Sequence, residues 1–198
     1  TERFHTEQMV RLPDCQWCHI PFDDLISVAQ LSLESMSIGE LPLLNNGYLT
    51  LGSFNNVAKL NNHVLALWAE ILNTIPNSRL RIAGIPAGRA KQHIVSIFNQ
   101  AGVAQDRIEF MPRLPYPEYL KSLTEVDVAL DPFPYNGGTT SIDILLMGIP
   151  LITLAGDRSI ARGGVTLLTN LGLEELIASS PLEYVAIVRR LAGNSAQL

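Results

Sequence analysis

The chain has 198 residues, of which 47% are hydrophobic and 17% charged, and its formal net charge is −5. This length is enough for one substantial domain, and an acidic balance without a Lys/Arg cluster argues against a nucleic-acid partner. Because no apolar run approaches the roughly 18 residues of a membrane span and the N-terminus does not read as a signal peptide, we expect a cytoplasmic protein without a span.

Residues 1–47 contain scattered apolar positions and three prolines but no sustained period. We therefore interpret them as a connecting or incomplete segment and not as an independent core. Both cysteines lie here, in the string Cys15-Gln-Trp-Cys18-His19. This string matches a c-type haem attachment motif, but no further zinc ligands and no thioredoxin-like strand and helix accompany it. Two ordinary thiols and no cofactor are the better interpretation.

From Tyr48 onward, short apolar segments alternate with amphipathic ones. The short segments predict five strands, at 48–54, 79–83, 107–111, 126–130 and 151–154. The others predict helices at 64–72, 91–100, 116–123 and 141–147, followed by helical stretches at 165–169, 173–178 and 182–191. This alternation predicts an α/β fold with a Rossmann-like parallel sheet flanked by helices on both faces. Right-handed crossovers then place all the strand carboxyl ends on one edge, where such sheets bind ligands.

Lys59 follows the first predicted strand, at the end of the segment Gly52-Ser-Phe-Asn-Asn-Val-Ala-Lys59, and is expected at that same edge. Its ammonium is placed to reach a diphosphate, although a lone lysine near a helix start is more often just a solvated side chain. No P-loop, dinucleotide fingerprint or hydrolase elbow occurs in the chain. The four histidines are scattered without ligand spacing, so we expect a site without a metal.

The most informative segment joins the fourth strand to the next helix, in the string Asp131-Pro-Phe-Pro-Tyr-Asn-Gly-Gly-Thr-Thr-Ser-Ile-Asp143. A Gly-Gly-Thr-Thr sequence at a helix start offers free backbone amides, two hydroxyls and the positive end of the helix dipole, which together suit a phosphate. Asp143 would lie in the first helical turn, in reach of ribose hydroxyls. The competing interpretation is a tight turn in which a threonine caps the helix.

Several strings in this order resemble the O-GlcNAc transferase-like glycosyltransferases of the family 41 type. This family includes the plant Spindly-type enzymes and many bacterial proteins with tetratricopeptide repeats. The resemblance runs over about residues 48–190 and is carried by Leu51-Gly-Ser-Phe-Asn-Asn-Val-Ala-Lys-Leu60, by Asp131-Pro-Phe-Pro-Tyr-Asn-Gly-Gly-Thr-Thr140 and by Leu167-Leu-Thr-Asn-Leu-Gly-Leu173.

The resemblance implies the C-terminal half of a GT-B glycosyltransferase. Residues 48–198 would be the nucleotide-sugar-binding domain, and residues 1–47 the interlobe connection or a remnant of the N-terminal lobe. The implied reaction is inverting, metal-independent transfer of a sugar, with GlcNAc expected, from a UDP-sugar or alternatively a GDP-sugar to protein Ser/Thr. The protein acceptor would be bound by parts of the full-length enzyme outside this chain, so the chain alone is expected to be incomplete and inactive.

The resemblance also implies roles for individual residues. Lys59 would be the catalytic residue, contacting the donor diphosphate. The donor-binding residues would be Asn56, Leu114, Tyr116, Gly137, Gly138, Thr139, Thr140 and Asp143. Among these, the helix start would hold phosphate, Asp143 the ribose, and Leu114 with Tyr116 the base. The chain departs from the family at Gly138 and Tyr119, where many members carry histidine.

Two alternatives come from other classes of protein. One is a non-catalytic nucleotide-binding or scaffold module derived from the same family, which the two absent histidines favour. The other is a nucleotide-sugar epimerase of similar architecture, for which the chain lacks an acid/base pair. Lys59, Thr139, Thr140 and Asp143 favour the transferase.

Overall fold

The computed structural model describes residues 6–8, 10, 12–17, 39–194 and 198. These residues form a six-stranded, all-parallel sheet in the order β3-β2-β1-β4-β5-β6. The strands are β1 (Leu49–Ser53), β2 (Ser78–Ala83), β3 (Ile108–Met111), β4 (Val128–Leu130), β5 (Leu151–Leu154) and β6 (Ile177–Ala178). Strand β1 pairs with β2 on one side and with β4 on the other, where Leu51 lies opposite Val128. The α/β prediction is confirmed.

Seven α-helices cover the sheet within the described residues. They are α1 (Pro42–Asn46), α2 (Asn62–Thr74), α3 (Arg89–Gln100), α4 (Tyr116–Leu123), α5 (Thr139–Leu146), α6 (Gly163–Asn170) and α7 (Pro181–Ala192). Short 3-10 turns, at Val57–Lys59 and Ser159–Ala161 among others, join strands to helices. In the part of the chain described, no helix is both long and apolar enough to cross a membrane.

Local sequence explains where the longer helices begin. The Asn61 side chain accepts hydrogen bonds from the backbone amides of His63 and Val64, which caps α2. Ser180 caps α7 in the same way, and Pro181 occupies its first position, where a missing N–H costs nothing. Helix α2 then buries an apolar face that includes Trp68 at 0% exposure, so packing against the sheet supplies most of its stability.

The core lies on both faces of the sheet. One buried cluster joins β1, β2 and β4 to helices α2, α3 and α7, and a second joins β4 and β5 to α4 and α5. All three residues of β4 are buried, as expected of a central strand in a parallel sheet. The strand order reverses between β1 and β4, so the segments that leave these two strands diverge and leave a crevice between them.

Two elements differ from the prediction. Residues 173–178 were predicted to be helical, but they form a 3-10 turn at Glu174–Leu176 and then strand β6. Ile177 pairs with Thr153, and the Ala155 amide donates to the Ala178 carbonyl, so the sheet edge determines the conformation of this short segment. Helix α1 lies within the segment interpreted as a connection, for which no helix was predicted.

Helix α1 is held by a buried carboxylate. Asp127 accepts hydrogen bonds from the Leu43 amide at 2.8 Å and from the Thr50 amide at 2.7 Å. Burial raises the pKa of Asp127, and these two hydrogen bonds oppose the shift. The carboxylate therefore ties residues just ahead of the sheet to strand β1.

Candidate functional site

Helix α5 begins without a side-chain cap. Its first residue is Thr139, and Gly138 occupies the capping position with no side chain to accept a hydrogen bond, so the threonine-cap interpretation is wrong. Among the described residues, no acceptor bonds the backbone amides of Gly138, Thr139 and Thr140. Because these amides and the helix dipole carry partial positive charge, the end of α5 is suited to an anion.

A buried carboxylate shapes the glycine loop. Asp131 has 0% exposure and accepts hydrogen bonds from the Gly137 amide at 2.7 Å and from Thr153 Oγ1 at 2.8 Å. Burial raises the pKa of Asp131 to about 6, although these two hydrogen bonds and the charge of Lys59 oppose the shift. Asp131 thus fixes the start of the glycine loop, and among the described residues the next three amides are left without an acceptor.

The side chain of Lys59 crosses from the segment after β1 to this loop. Its Nζ donates to the Asn136 carbonyl at 2.8 Å and to Asn55 Oδ1 at 3.4 Å, and it lies 4.4 Å from the centre of the Tyr135 ring. Partial burial lowers the pKa of Lys59, and the carboxylate of Asp131 raises it in opposition. The ammonium is therefore held in place by the same loop that presents the free amides.

A cavity of about 490 Å³ separates Lys59 from the start of α5. It is lined by Gln16, Trp17, Lys59, Tyr135, Asn136, Gly137, Gly138, Thr139, Thr140, Ser159, Ile160 and Gly163. We call it the amide cavity. It gathers an ammonium, hydroxyls and unbonded amides around one space, as the binding of a diphosphate requires.

A second cavity, of about 330 Å³, lies at the same edge of the sheet. Its lining is Phe54, Ala83, Gly84, Pro112, Arg113, Leu114, Tyr116, Tyr119 and Ser122. We call it the aromatic cavity. The Phe54 and Tyr119 rings meet edge to face at 5.9 Å, and the Tyr116 and Tyr119 rings lie 5.8 Å apart. Flat apolar surfaces of this kind suit a planar ligand.

Asp143, on helix α5, contacts two side chains of the aromatic cavity. Its carboxylate accepts hydrogen bonds from the Tyr116 hydroxyl at 3.3 Å and the Tyr119 hydroxyl at 3.2 Å. Burial, and then the Asp143 charge, raise the pKa of Tyr116 to about 12, and the same causes raise the pKa of Tyr119 further. Both phenols therefore stay protonated and donate to the carboxylate at neutral pH.

The predicted site residues take up different positions. Lys59 and residues 137–140 meet at the amide cavity, while Leu114 and Tyr116 line the aromatic one. The Gly137 amide is already donated to Asp131, so it lines the cavity without a free N–H. The Asn56 side chain caps a 3-10 turn by accepting from the Ala58 amide.

Asp143 lies beyond the first turn of α5, one turn later than predicted. Sequence reasoning missed Asp131 and Asn55, which hold the glycine loop and Lys59 in place. A signal for Asp131 was present, because it is the acidic residue that directly follows a buried strand and opens the glycine segment.

Replacing Gly137 with alanine is expected to destabilise the fold by about 1–3 kcal/mol, because a side chain added there is forced into a filled space. Its Cβ would overlap Ser141 Oγ and lie 3.2 Å from Asp131 Oδ1. Urea unfolding measures the effect. Ser141→Ala in the same chain should recover part of the loss, because it removes the overlapping oxygen.

The matched control for this prediction is Gly193→Ala, where the nearest atom would be 3.6 Å away and the φ angle is −86°. It should change the free energy of unfolding by no more than about 0.5 kcal/mol. Equal effects of the two alanines would contradict a close-packed loop at Gly137.

Comparisons with known proteins concern the fold and the family. A mutant of O-GlcNAc transferase from Thermobaculum terrenum superposes with a TM-score of 0.73 at 34% identity, covering 76% of this chain and 29% of that one. An Anabaena protein solved with UDP and glucose superposes with a TM-score of 0.59 at 13% identity, over 90% of this chain and 45% of the Anabaena chain. At this identity the superposition supports the fold alone. The parallel sheet, its edge cavities and these superpositions define a glycosyltransferase lobe of GT-B architecture.

Sequence comparison identifies the family. The model for glycosyl transferase family 41 matches residues 39–198. A Petunia hybrida protein described as a probable UDP-N-acetylglucosamine--peptide N-acetylglucosaminyltransferase, SPINDLY, is 36% identical over 201 residues. That match covers 100% of this chain but 20% of the relative, so the chain spans about a fifth of the length of the plant proteins it matches. The chain belongs to glycosyl transferase family 41, which confirms the resemblance recognised in the sequence.

Proposed function

We propose that this chain is the donor-binding lobe of an inverting glycosyltransferase that works without a metal ion. The enzyme would move a sugar, with GlcNAc as the first candidate, from a UDP-sugar to a protein hydroxyl. A single observation carries the proposal: the Lys59 ammonium and the unbonded amides of residues 138–140 line one cavity. The printed descriptions of the relatives point to UDP-GlcNAc and peptide acceptors, which motivates the choice of both substrates.

The two cavities divide the donor between them in this proposal. The diphosphate binds in the amide cavity, and the base enters the aromatic cavity beside Leu114 and Tyr116. Asp143, which lies on the helix that begins at the amide cavity and bonds two tyrosines of the aromatic cavity, accepts from the ribose hydroxyls. To do so, its carboxylate shares or exchanges the hydrogen bonds that it now accepts from Tyr116 and Tyr119.

Charge development explains how these groups would accelerate the transfer. The acceptor oxygen attacks the anomeric carbon from the face opposite the diphosphate, the bond from that carbon to the phosphate oxygen breaks, and the configuration inverts. The acceptor hydroxyl releases its proton to solvent water, and the electron pair of the broken bond remains on the departing β-phosphate. Lys59 and the end of α5 stabilise that negative charge, because they are oriented before the reaction begins.

Metal independence is proposed on the same electrostatic argument. Among the described residues, no three His, Cys, Asp or Glu side chains come together in a group that would hold a metal ion. The positive charge that a cation would otherwise supply is assigned to Lys59 and the helix start. This assignment stays a prediction, and it is tested together with nucleotide binding.

Calorimetric titration of the folded chain with UDP and with GDP, in the presence of a chelator, tests the proposal. We expect UDP to bind weakly and measurably with the chelator present, and a uridine preference would support the UDP-sugar assignment. Tighter binding of GDP would reassign the donor. If neither nucleotide releases heat although the chain is folded, the donor-site assignment is wrong.

The second candidate function is a non-catalytic nucleotide-binding or scaffold module. One observation favours it: both Tyr116 and Tyr119 hydroxyls already occupy the carboxylate of Asp143. A lobe that binds UDP but gives no transfer when an acceptor lobe and a protein acceptor are supplied would support this candidate over the enzyme.

A further inference from the structure

A short segment ahead of the sheet packs against the amide cavity. The described residues 12–17 are held on helix α6 by Asn170, whose Nδ2 donates to the Asp14 carbonyl at 3.1 Å. The Cys15 thiol donates to the Trp17 carbonyl at 3.3 Å, which tightens the chain just before the indole. Trp17 is half-buried and forms part of the wall of the amide cavity.

The indole lies across the starts of two helices. A Cβ placed on Gly138 would lie 3.1 Å from Trp17 Nε1, and one placed on Gly163 would lie 3.2 Å from Trp17 Cη2. The nitrogen end of the ring therefore faces the capping position of α5, and its far corner faces the first residue of α6. Glycine at both positions is what allows the ring to approach so closely.

The indole N–H has no acceptor among the described residues. It lies beside Gly138, whose amide, with those of Thr139 and Thr140, is likewise without an acceptor there. Indole nitrogen is a donor only, so at the wall of this cavity it can serve only an acceptor atom of a ligand or of water. Four N–H donors that lack a partner within the described part of the chain thus meet at one wall of a cavity that also holds the Lys59 ammonium.

We propose that Trp17 belongs to the donor site and that its indole N–H donates to an oxygen of the bound diphosphate. The inference rests on the proposed function, because it requires the diphosphate to bind at α5. It adds a donor-binding residue from the segment ahead of the sheet, so residues 12–17 would do more than connect. Bound diphosphate would then join this segment to the starts of α5 and α6.

The chain offers a direct optical test, because Trp17 and Trp68 are its only two tryptophans and Trp68 is fully buried. UDP is titrated into the wild type, Trp17→Phe and Trp17→Leu, and binding is followed by calorimetry and by tryptophan fluorescence. We expect UDP to change the fluorescence of the wild type. Trp17→Phe, which keeps an aromatic ring but loses the N–H, should abolish that change and weaken binding about tenfold or more.

Each of the other outcomes overturns either this inference or the proposed function. If calorimetry detects UDP but the fluorescence stays constant, or if Trp17→Phe binds as tightly as the wild type, the inference is wrong while the donor site stands. If only Trp17→Leu weakens binding, the ring packs against the site without donating, which also overturns the inference. If the folded wild type binds no UDP by either method, the proposed function itself fails. Thermal unfolding of the three proteins confirms that each is folded.

Discussion

Replacing Lys59 with methionine is expected to weaken UDP binding by about 10- to 150-fold, the range for losing a hydrogen bond to a charged group. Methionine keeps much of the volume of the side chain but removes the charge that lies between the Asn136 carbonyl and the amide cavity. Where turnover is measurable, the transfer rate should fall by about 100- to 1,000-fold, because the lost charge stabilises the leaving group most in the transition state.

Lys91→Met is the matched control. Lys91 Nζ lies 4.9 Å from the centre of the Phe110 ring, much as Lys59 lies over Tyr135, but it does not line the amide cavity. The control should bind UDP like the wild type, and Lys59→Arg should retain part of the affinity through its charge. Equal losses for Lys59→Met and Lys91→Met would mean that overall charge, and not the position of Lys59, determines binding.

The second large effect is a dependence of stability on pH that arises from Asp131. Its pKa is about 6 in the folded chain, against 3.8 when unperturbed. Between these values the folded chain holds a proton that the unfolded chain has lost, so stability falls as the pH rises from about 4 to about 6. A shift of about two units corresponds to a loss of about 3 kcal/mol, which is complete above the folded pKa.

Asp131→Asn isolates this effect, because asparagine keeps the shape of the side chain and does not titrate in this range. Urea unfolding of both proteins at pH 4.5, 5.5 and 7 should show the wild type losing stability relative to the variant as the pH rises. Parallel stability curves for the two proteins would show that the Asp131 carboxylate is not the titrating group.

The alternating strands and helices could be predicted from the sequence, because long segments with a hydrophobic period indicate their own secondary structure. The strand and helix pattern from Tyr48 to Leu154 needed only hydrophobic spacing and turn residues. Strand β6 was missed because two residues, Ile177 and Ala178, carry no period of their own and take their conformation from β5. Helix α1 was missed because its placement depends on Asp127, which is distant in sequence.

The candidate site divides in the same way. Glycine and threonine next to a predicted helix start, and a lysine after the first strand, were local signals for the residues that line the amide cavity. Contacts between distant segments were not visible: Asp131 with Thr153, Tyr119 with Asp143, and Trp17 with Gly138. These contacts decide which groups stay available to a ligand, and they depend on tertiary packing.

The strand order has a consequence for how such a lobe changes its donor during evolution. Apart from Trp17, the groups proposed for the diphosphate leave β1 and β4, the central strands. Much of the lining of the aromatic cavity, from Ala83 to Leu114, lies at the ends of β2 and β3 or just after them. If the proposed assignment of the two cavities holds, mutations that alter the preferred nucleobase would fall at one flank of the sheet and leave the groups at its centre unchanged. In this architecture, the side chains proposed to select the base and those proposed to stabilise the leaving group lie at different parts of the sheet edge.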